Sequence, residues 1–188
     1  MLFGETPLKG LLEVRLERHE DNRGFFARQF CVDEYAKKGI NIQLKQINIS
    51  ANIKKHTLRG MHYQLPPSGE TRIVACIRGA VYDMSLDLRP KSTTFGQSHG
   101  TYLSSQTKQM MFIPNGFAHG YITLEDNTEF LYLNDTFYAP QLDRIIRWDD
   151  PKFSLKWPIV PSIISQRDAN QFDFDPAYHL PGMDTIQV

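Results

Sequence analysis

Between residues 43 and 134 the sequence runs in short extended pieces of five to nine residues, separated by Gly, Pro, Asn and Ser. These are QLKQINIS (43–50), TLRGMHYQ (57–64), RIVACI (72–77), AVYDMSLDL (80–88), SHGTYLS (98–104), QMMFI (109–113), HGYITL (119–124) and TEFLYLN (128–134). Many short strands with turn residues between them confine a chain to an antiparallel sandwich or barrel. Two further extended runs precede them, LLEVRLE (11–17) and FFARQF (25–30), and VDEYAKK (32–38) reads as a helical turn closed by Gly39. In VYDMSLDL the residues alternate, Val81, Asp83, Ser85 and Asp87 against Tyr82, Met84, Leu86 and Leu88, which predicts a half-buried strand. Glycines in IRGAV (77–81) and IPNGFAHGY (113–121) predict hairpin turns. From residue 147 the pattern changes, since RWDDP, KWP and IVP break any long element. The tail is expected to pack as short helical or irregular pieces over the barrel, anchored by Trp148 and Trp157, with Tyr178 and His179 as surface residues.

A length of 188 residues suits one domain that buries roughly 70% of its unfolded surface. The domain is expected to span 1–188, with a barrel core over about 11–146 and a wrapping segment over about 147–188. At 41% hydrophobic and 22% charged residues, the composition excludes disorder as the main state. Basic and acidic residues balance at 21 each, so no broad field favours nucleic acid or an anionic membrane, and an anionic ligand must be met by locally placed cations. Cys31 and Cys76 form no disulfide framework or zinc spacing, and the N-terminus carries charges too often for a signal or membrane span. The cytoplasm is the expected location.

Of the six histidines, two stand beside turns at strand ends, His62 in TLRGMHYQLPP and His119 in IPNGFAHGY. PNGFAH fits the second motif of the cupin barrels, P-x-G-x-x-H, and RGMHYQ falls where their first motif begins. A metal-binding cupin adds a second histidine two positions after the first and a glutamate further on, so that three or four ligands converge. Here that position is Gln64, and His62, Glu70 and His119 alone make a thin set. The expectation is a barrel used without a metal or other cofactor.

Long segments in order, NRGFFARQF (22–30), TLRGMHYQLPP (57–67), IRGAVYDMSLDLRP (77–90), IPNGFAHGYITLEDNTEFLY (113–132), FYAP (137–140), IRWDDP (146–151) and ISQRD (164–168), resemble the dTDP-4-dehydrorhamnose 3,5-epimerases. The resemblance implies an all-β fold, an antiparallel double-sheet jelly-roll (cupin-like) barrel with short peripheral helices. It also implies a homodimer in which N-terminal strands cross to the partner. The implied reaction is a proton shuffle beside a ketone: a nucleotide-linked 4-keto-6-deoxy sugar loses a proton at C3 or C5, passes through an enolate and is reprotonated on the opposite face. Such chemistry needs a base, an acid across the ring and donors at the enolate oxygen.

By this resemblance His62 is the base, Asp168 the carboxylate behind it, and Tyr132 the acid. Arg72 stands where the family commonly has Lys; it keeps the charge but cannot give up a proton. Arg23, Arg59 and Arg167 match positions that meet the diphosphate or lie near the ligand, His119 a substrate contact, and Tyr138 the aromatic that stacks on the base. Phe26, Gln46, Asn48 and Asp143 complete the implied substrate contacts, with Asp143 in place of Glu. Arg28 also belongs to this set and replaces a family Glu, a charge reversal that bears on which nucleotide is preferred among dTDP, CDP and GDP. Two other classes remain open at this point, a metal-dependent cupin enzyme and a non-catalytic nucleotide-sugar binder.

Overall fold

The alternation of large apolar residues with turn residues resolves into fourteen strands and three one-turn helices in the computed structural model, which describes all 188 residues. The N-terminal strands are β1 (Leu2–Glu5), β2 (Leu12–Arg15), β3 (Arg18–Asp21) and β4 (Gly24–Ala27), followed by α1 (Val32–Ala36). The central strands are β5 (Gln46–Asn52), β6 (Thr57–Gln64), β7 (Arg72–Arg78), β8 (Ala80–Asp87), β9 (Ser98–Ser104), β10 (Met110–Ile113), β11 (Phe117–Thr123) and β12 (Thr128–Asn134). The last elements are β13 (Asp143–Ile145), β14 (Ile163–Ile164), α2 (Gln166–Ala169) and α3 (Pro176–His179).

Two sheets face each other. One has the order β1-β2-β10-β7-β12-β5; the other runs β13-β6-β11-β8-β9, with β14 added in parallel on β6. β3 and β4 form a separate hairpin. This is the all-β double-sheet barrel that the resemblance implies. The glycine turns are not hairpins, however: β7 and β8 lie in different sheets, as do β10 and β11, so Gly79 and Gly116 turn corners between sheets.

Inward-facing Leu11, Val74, Val81, Phe117, Tyr121 and Phe130 plug one end of the barrel. Val14, Ile73, Met110 and Leu133 cover the outside of the first sheet under Tyr35 of α1. The outside of the second sheet, with Met61, Tyr63, Met84 and Leu86, is covered by the tail through Leu155, Trp157, Phe174 and Met183.

That third cluster reverses the reading of β8. Its apolar face, Met84, Leu86 and Leu88, packs outward under the tail, while the face of Asp83, Ser85 and Asp87 is buried inside the barrel. The strand is therefore buried on both sides. Asp87 is satisfied there by Arg89, Ser92 and Thr94, which fold the following loop around its carboxylate.

The tail also corrects His179, which is 1% exposed, with Nδ1 2.8 Å from the Tyr63 hydroxyl and its carbonyl accepting from that hydroxyl at 3.0 Å. Of the two tryptophans expected to anchor the tail, Trp157 packs its ring on this cluster and donates through Nε1 to the Trp148 carbonyl. No helix is long and apolar enough to cross a membrane.

Candidate active site

A β-bulge in β6 aims the chemistry. In an unbroken strand Arg59 and His62, three residues apart, would face opposite sides. The register of β6 against β11 slips between them, with His119 opposite His62 but Tyr121 opposite Arg59. One extra residue is thus absorbed at Gly60 and Met61, and both side chains enter the pocket. Gly60 makes the slip possible: its φ is +126°, and a Cβ there would lie 2.4 Å from the Gly120 Cα on β11.

The resulting cavity, about 530 Å³, opens between the two sheets. From the second sheet and its neighbours come Arg59, His62, His119, Asp143 and Arg167; from the first come Gln46, Asn48, Arg72, Tyr132 and Asn134. Tyr138 stands at the rim on the loop after β12 and is 57% exposed. Eleven of the fourteen residues singled out in the sequence are brought together, counting Asp168, which reaches His62 from behind. Arg23, Phe26 and Arg28 are not among them. They lie on or beside the β3–β4 hairpin, where Arg23 pairs with Asp21 and Arg28 with Glu34.

His62 Nε2 meets Asp168 Oδ1 at 2.8 Å, which leaves Nδ1 as the ring nitrogen free to take a proton. Asp168 sits on α2, where Ser165 caps the turn by accepting the Asp168 N–H at 3.0 Å. Burial alone would raise the Asp168 pKa, but the hydrogen bond and charge of His62 and the Gly60 N–H outweigh it and hold the carboxyl below its ordinary value. His119 forms a second such pair, with Nε2 2.6 Å from Asp83 Oδ2 and both side chains buried. Its ring stacks on Phe130 and meets Tyr132 edge-on at 6.1 Å. Burial pushes the Tyr132 phenol well above its ordinary pKa, so it stays protonated through the neutral range.

Arg72 is buried, donates to the His62 carbonyl at 3.3 Å and pairs with Glu70, whose other oxygen accepts Asn134 Nδ2 at 2.8 Å. Arg167 and the Tyr138 hydroxyl both donate to Asp143 Oδ2. Arg59 has no carboxylate partner and donates through Nε to Asn52 at 2.8 Å. It is the cavity's unneutralised guanidinium.

The thin metal set comes apart. His62, Glu70 and His119 are engaged by Asp168, Arg72 with Asn134, and Asp83 respectively, and no group of three His, Cys, Asp or Glu converges anywhere. Sequence reasoning missed Asp83 and Asn134. Asp83 was visible as the polar face of an alternating strand, and only the apolar cover of the other face shows that it points inward.

Comparison with known proteins agrees with this geometry. The family model described as dTDP-4-dehydrorhamnose 3,5-epimerase matches residues 5–175. The dTDP-4-dehydrorhamnose 3,5-epimerase of Shigella flexneri is 38% identical over 167 residues, 88% of this chain and 92% of the relative. The crystal structure of the enzyme of that name from Elizabethkingia anophelis superposes with a TM-score of 0.89 at 33% identity, covering 93% of this chain and 96% of the other. That from Bacillus anthracis, with TDP and pyrophosphate bound, gives 0.87 at 30% identity over 90% and 97%. A match that takes in both histidine pairs, the half-buried tyrosine and the helix bearing Asp168 leaves one conclusion: the chain belongs to the dTDP-4-dehydrorhamnose 3,5-epimerase family of isomerases.

Proposed function

We propose that this enzyme epimerises a dTDP-linked 4-keto-6-deoxy sugar at the carbons flanking the ketone. The observation that carries the reading is the placement of base and acid on opposed sheets: His62 projects from β6 of one sheet and Tyr132 from β12 of the other, across one cavity. A sugar ring lying between them loses a carbon-bound proton to His62 on one face and receives one from the Tyr132 hydroxyl on the other, which inverts the centre. Asp168 stabilises the imidazolium that forms. The remaining N–H donors of Arg72 serve the enolate oxygen, with Glu70 fixing the guanidinium plane.

Arg59 meets the diphosphate as a free fork, and Tyr138 offers its exposed ring to the base. Arg28 is neutralised by Glu34, which itself also holds the N-terminal amine, so the reversed charge does not reach the pocket as a free cation. The β3–β4 hairpin touches nothing in its own cavity and exposes Phe25 and Phe26, and a lone hairpin is marginal in water. This supports a homodimer in which Arg23, Phe26 and Arg28 of one copy complete the pocket of the other.

Incubation with dTDP-4-keto-6-deoxyglucose in heavy water tests the assignment. Deuterium at C3, C5 or both is the expected outcome and names the centres inverted. Protein that incorporates none, while exchanging a CDP- or GDP-linked 4-keto sugar, would move the nucleotide assignment; none with any of them would leave a binder.

A further inference from the structure

Gln64 lies two residues after His62 on the same inward face of β6, yet all three hydrogen bonds of its amide go to backbone. Oε1 accepts the Ala139 N–H at 2.5 Å, and Nε2 donates to the carbonyls of Phe137 at 3.4 Å and Ser68 at 3.1 Å. The residue is 3% exposed. Phe137 and Ala139 flank Tyr138, in a stretch that belongs to no strand. The Tyr138 N–H goes to Gln46 Oε1 at 2.9 Å, and its hydroxyl to Asp143 Oδ2 at 2.9 Å. The backbone around an exposed aromatic is therefore held by side chains from two neighbouring strands rather than by a sheet ladder.

We propose that Gln64 is a positioning residue that holds Tyr138 as a preformed stacking face for the nucleobase; this rests on the nucleotide-sugar reading above. A ring on an irregular loop loses backbone and rotamer freedom when a ligand stacks on it, and that loss is subtracted from affinity. The Gln64 amide removes the freedom beforehand. It fixes the orientation of its own amide in doing so, because the oxygen faces an N–H and the nitrogen faces two carbonyls. The position that supplies a metal ligand in other cupin barrels serves here to shape the base seat.

The test compares Gln64→Leu, which keeps the bulk and loses all three bonds, with Gln64→Glu, which sets a carboxylate oxygen against two carbonyls. Calorimetry with dTDP and with inorganic pyrophosphate separates base from phosphate binding. Gln64→Leu is expected to weaken dTDP by about tenfold while leaving pyrophosphate unchanged, and to raise KM for the nucleotide sugar without lowering kcat. Gln64→Glu is expected to be at least as severe. In a Tyr138→Ala background Gln64→Leu should add no further loss. Equal weakening of dTDP and pyrophosphate, or unchanged dTDP affinity, would overturn the proposal. Wild-type protein that binds dTDP and exchanges substrate protons while Gln64→Leu matches it sinks only the role of Gln64; wild-type protein that does neither sinks the nucleotide-sugar reading as well.

Discussion

At the scale of single residues, the site is built from pairs. His62 with Asp168, His119 with Asp83 and Arg167 with Asp143 join groups from separate elements, while Arg72 pairs with Glu70 two residues before it at the entry to β7. A carboxylate behind a histidine fixes its tautomer, so Asp168→Asn should lower kcat by about 10² or more with little change in KM, read from steady-state kinetics. The same variant carries a pH signature. The native Asp168 carboxyl titrates below the unfolded value, so its contribution to stability is present above about pH 4 and is lost as pH falls through the depressed native pKa. Asp168→Asn should flatten that acid limb in urea unfolding curves collected between neutral and acid pH. His62 was marked by its place beside a turn at a strand end, but Tyr132 and Asp168 were legible only through resemblance. A lone tyrosine in TEFLYLN carries no mark of an acid, and its burial opposite a histidine becomes visible only when two sheets face each other.

At the scale of elements, extended runs with clear turn punctuation were readable: 57–64, 98–104 and 128–134 coincide with β6, β9 and β12. β1, β13 and β14 were not, because four residues or fewer of edge strand carry no period. The bulge had a signal, a glycine inside a strand run, but its consequence for Arg59 and His62 needs the partner strand. Gly60→Ala should therefore cost about 3 kcal/mol or more in chemical denaturation, since the added carbon meets the β11 backbone and the left-handed φ is strained for any side chain. Gly96, also at positive φ but with no atom closer than 3.8 Å to a Cβ, should tolerate alanine far better. The strap at α3 makes a second prediction. Burial lowers the His179 pKa to about 4, so between the unfolded value of 6.5 and pH 4 the unfolded chain binds a proton that the native chain does not. Stability should fall as pH drops through that window, by about 1.4 kcal/mol per unit at most, and His179→Gln should remove the slope.

At the scale of the whole molecule, the hairpin carrying Arg23 and Phe26 decides how many chains make a site. Under the crossed arrangement, mixing Arg23→Ala with His62→Ala protein, each inactive alone, should restore about one quarter of wild-type activity, because half of the mixed dimers' pockets are intact. Activity that stays at the sum of the two variants would show that the hairpin serves its own chain or none. The position of α2 has a different implication. Nearly all of the cavity wall is complete by Arg72, Tyr132 and Asp143, but the partner of the base arrives only at Asp168, on a single turn held by a serine cap and one strand pair. Asp168 follows every strand of the barrel in the chain, so the cavity wall is specified before the base acquires its carboxylate partner. Activation of the base thereby hangs on a short late segment, and local fraying of α2 is expected to slow the enzyme while the cavity wall around it is still in place.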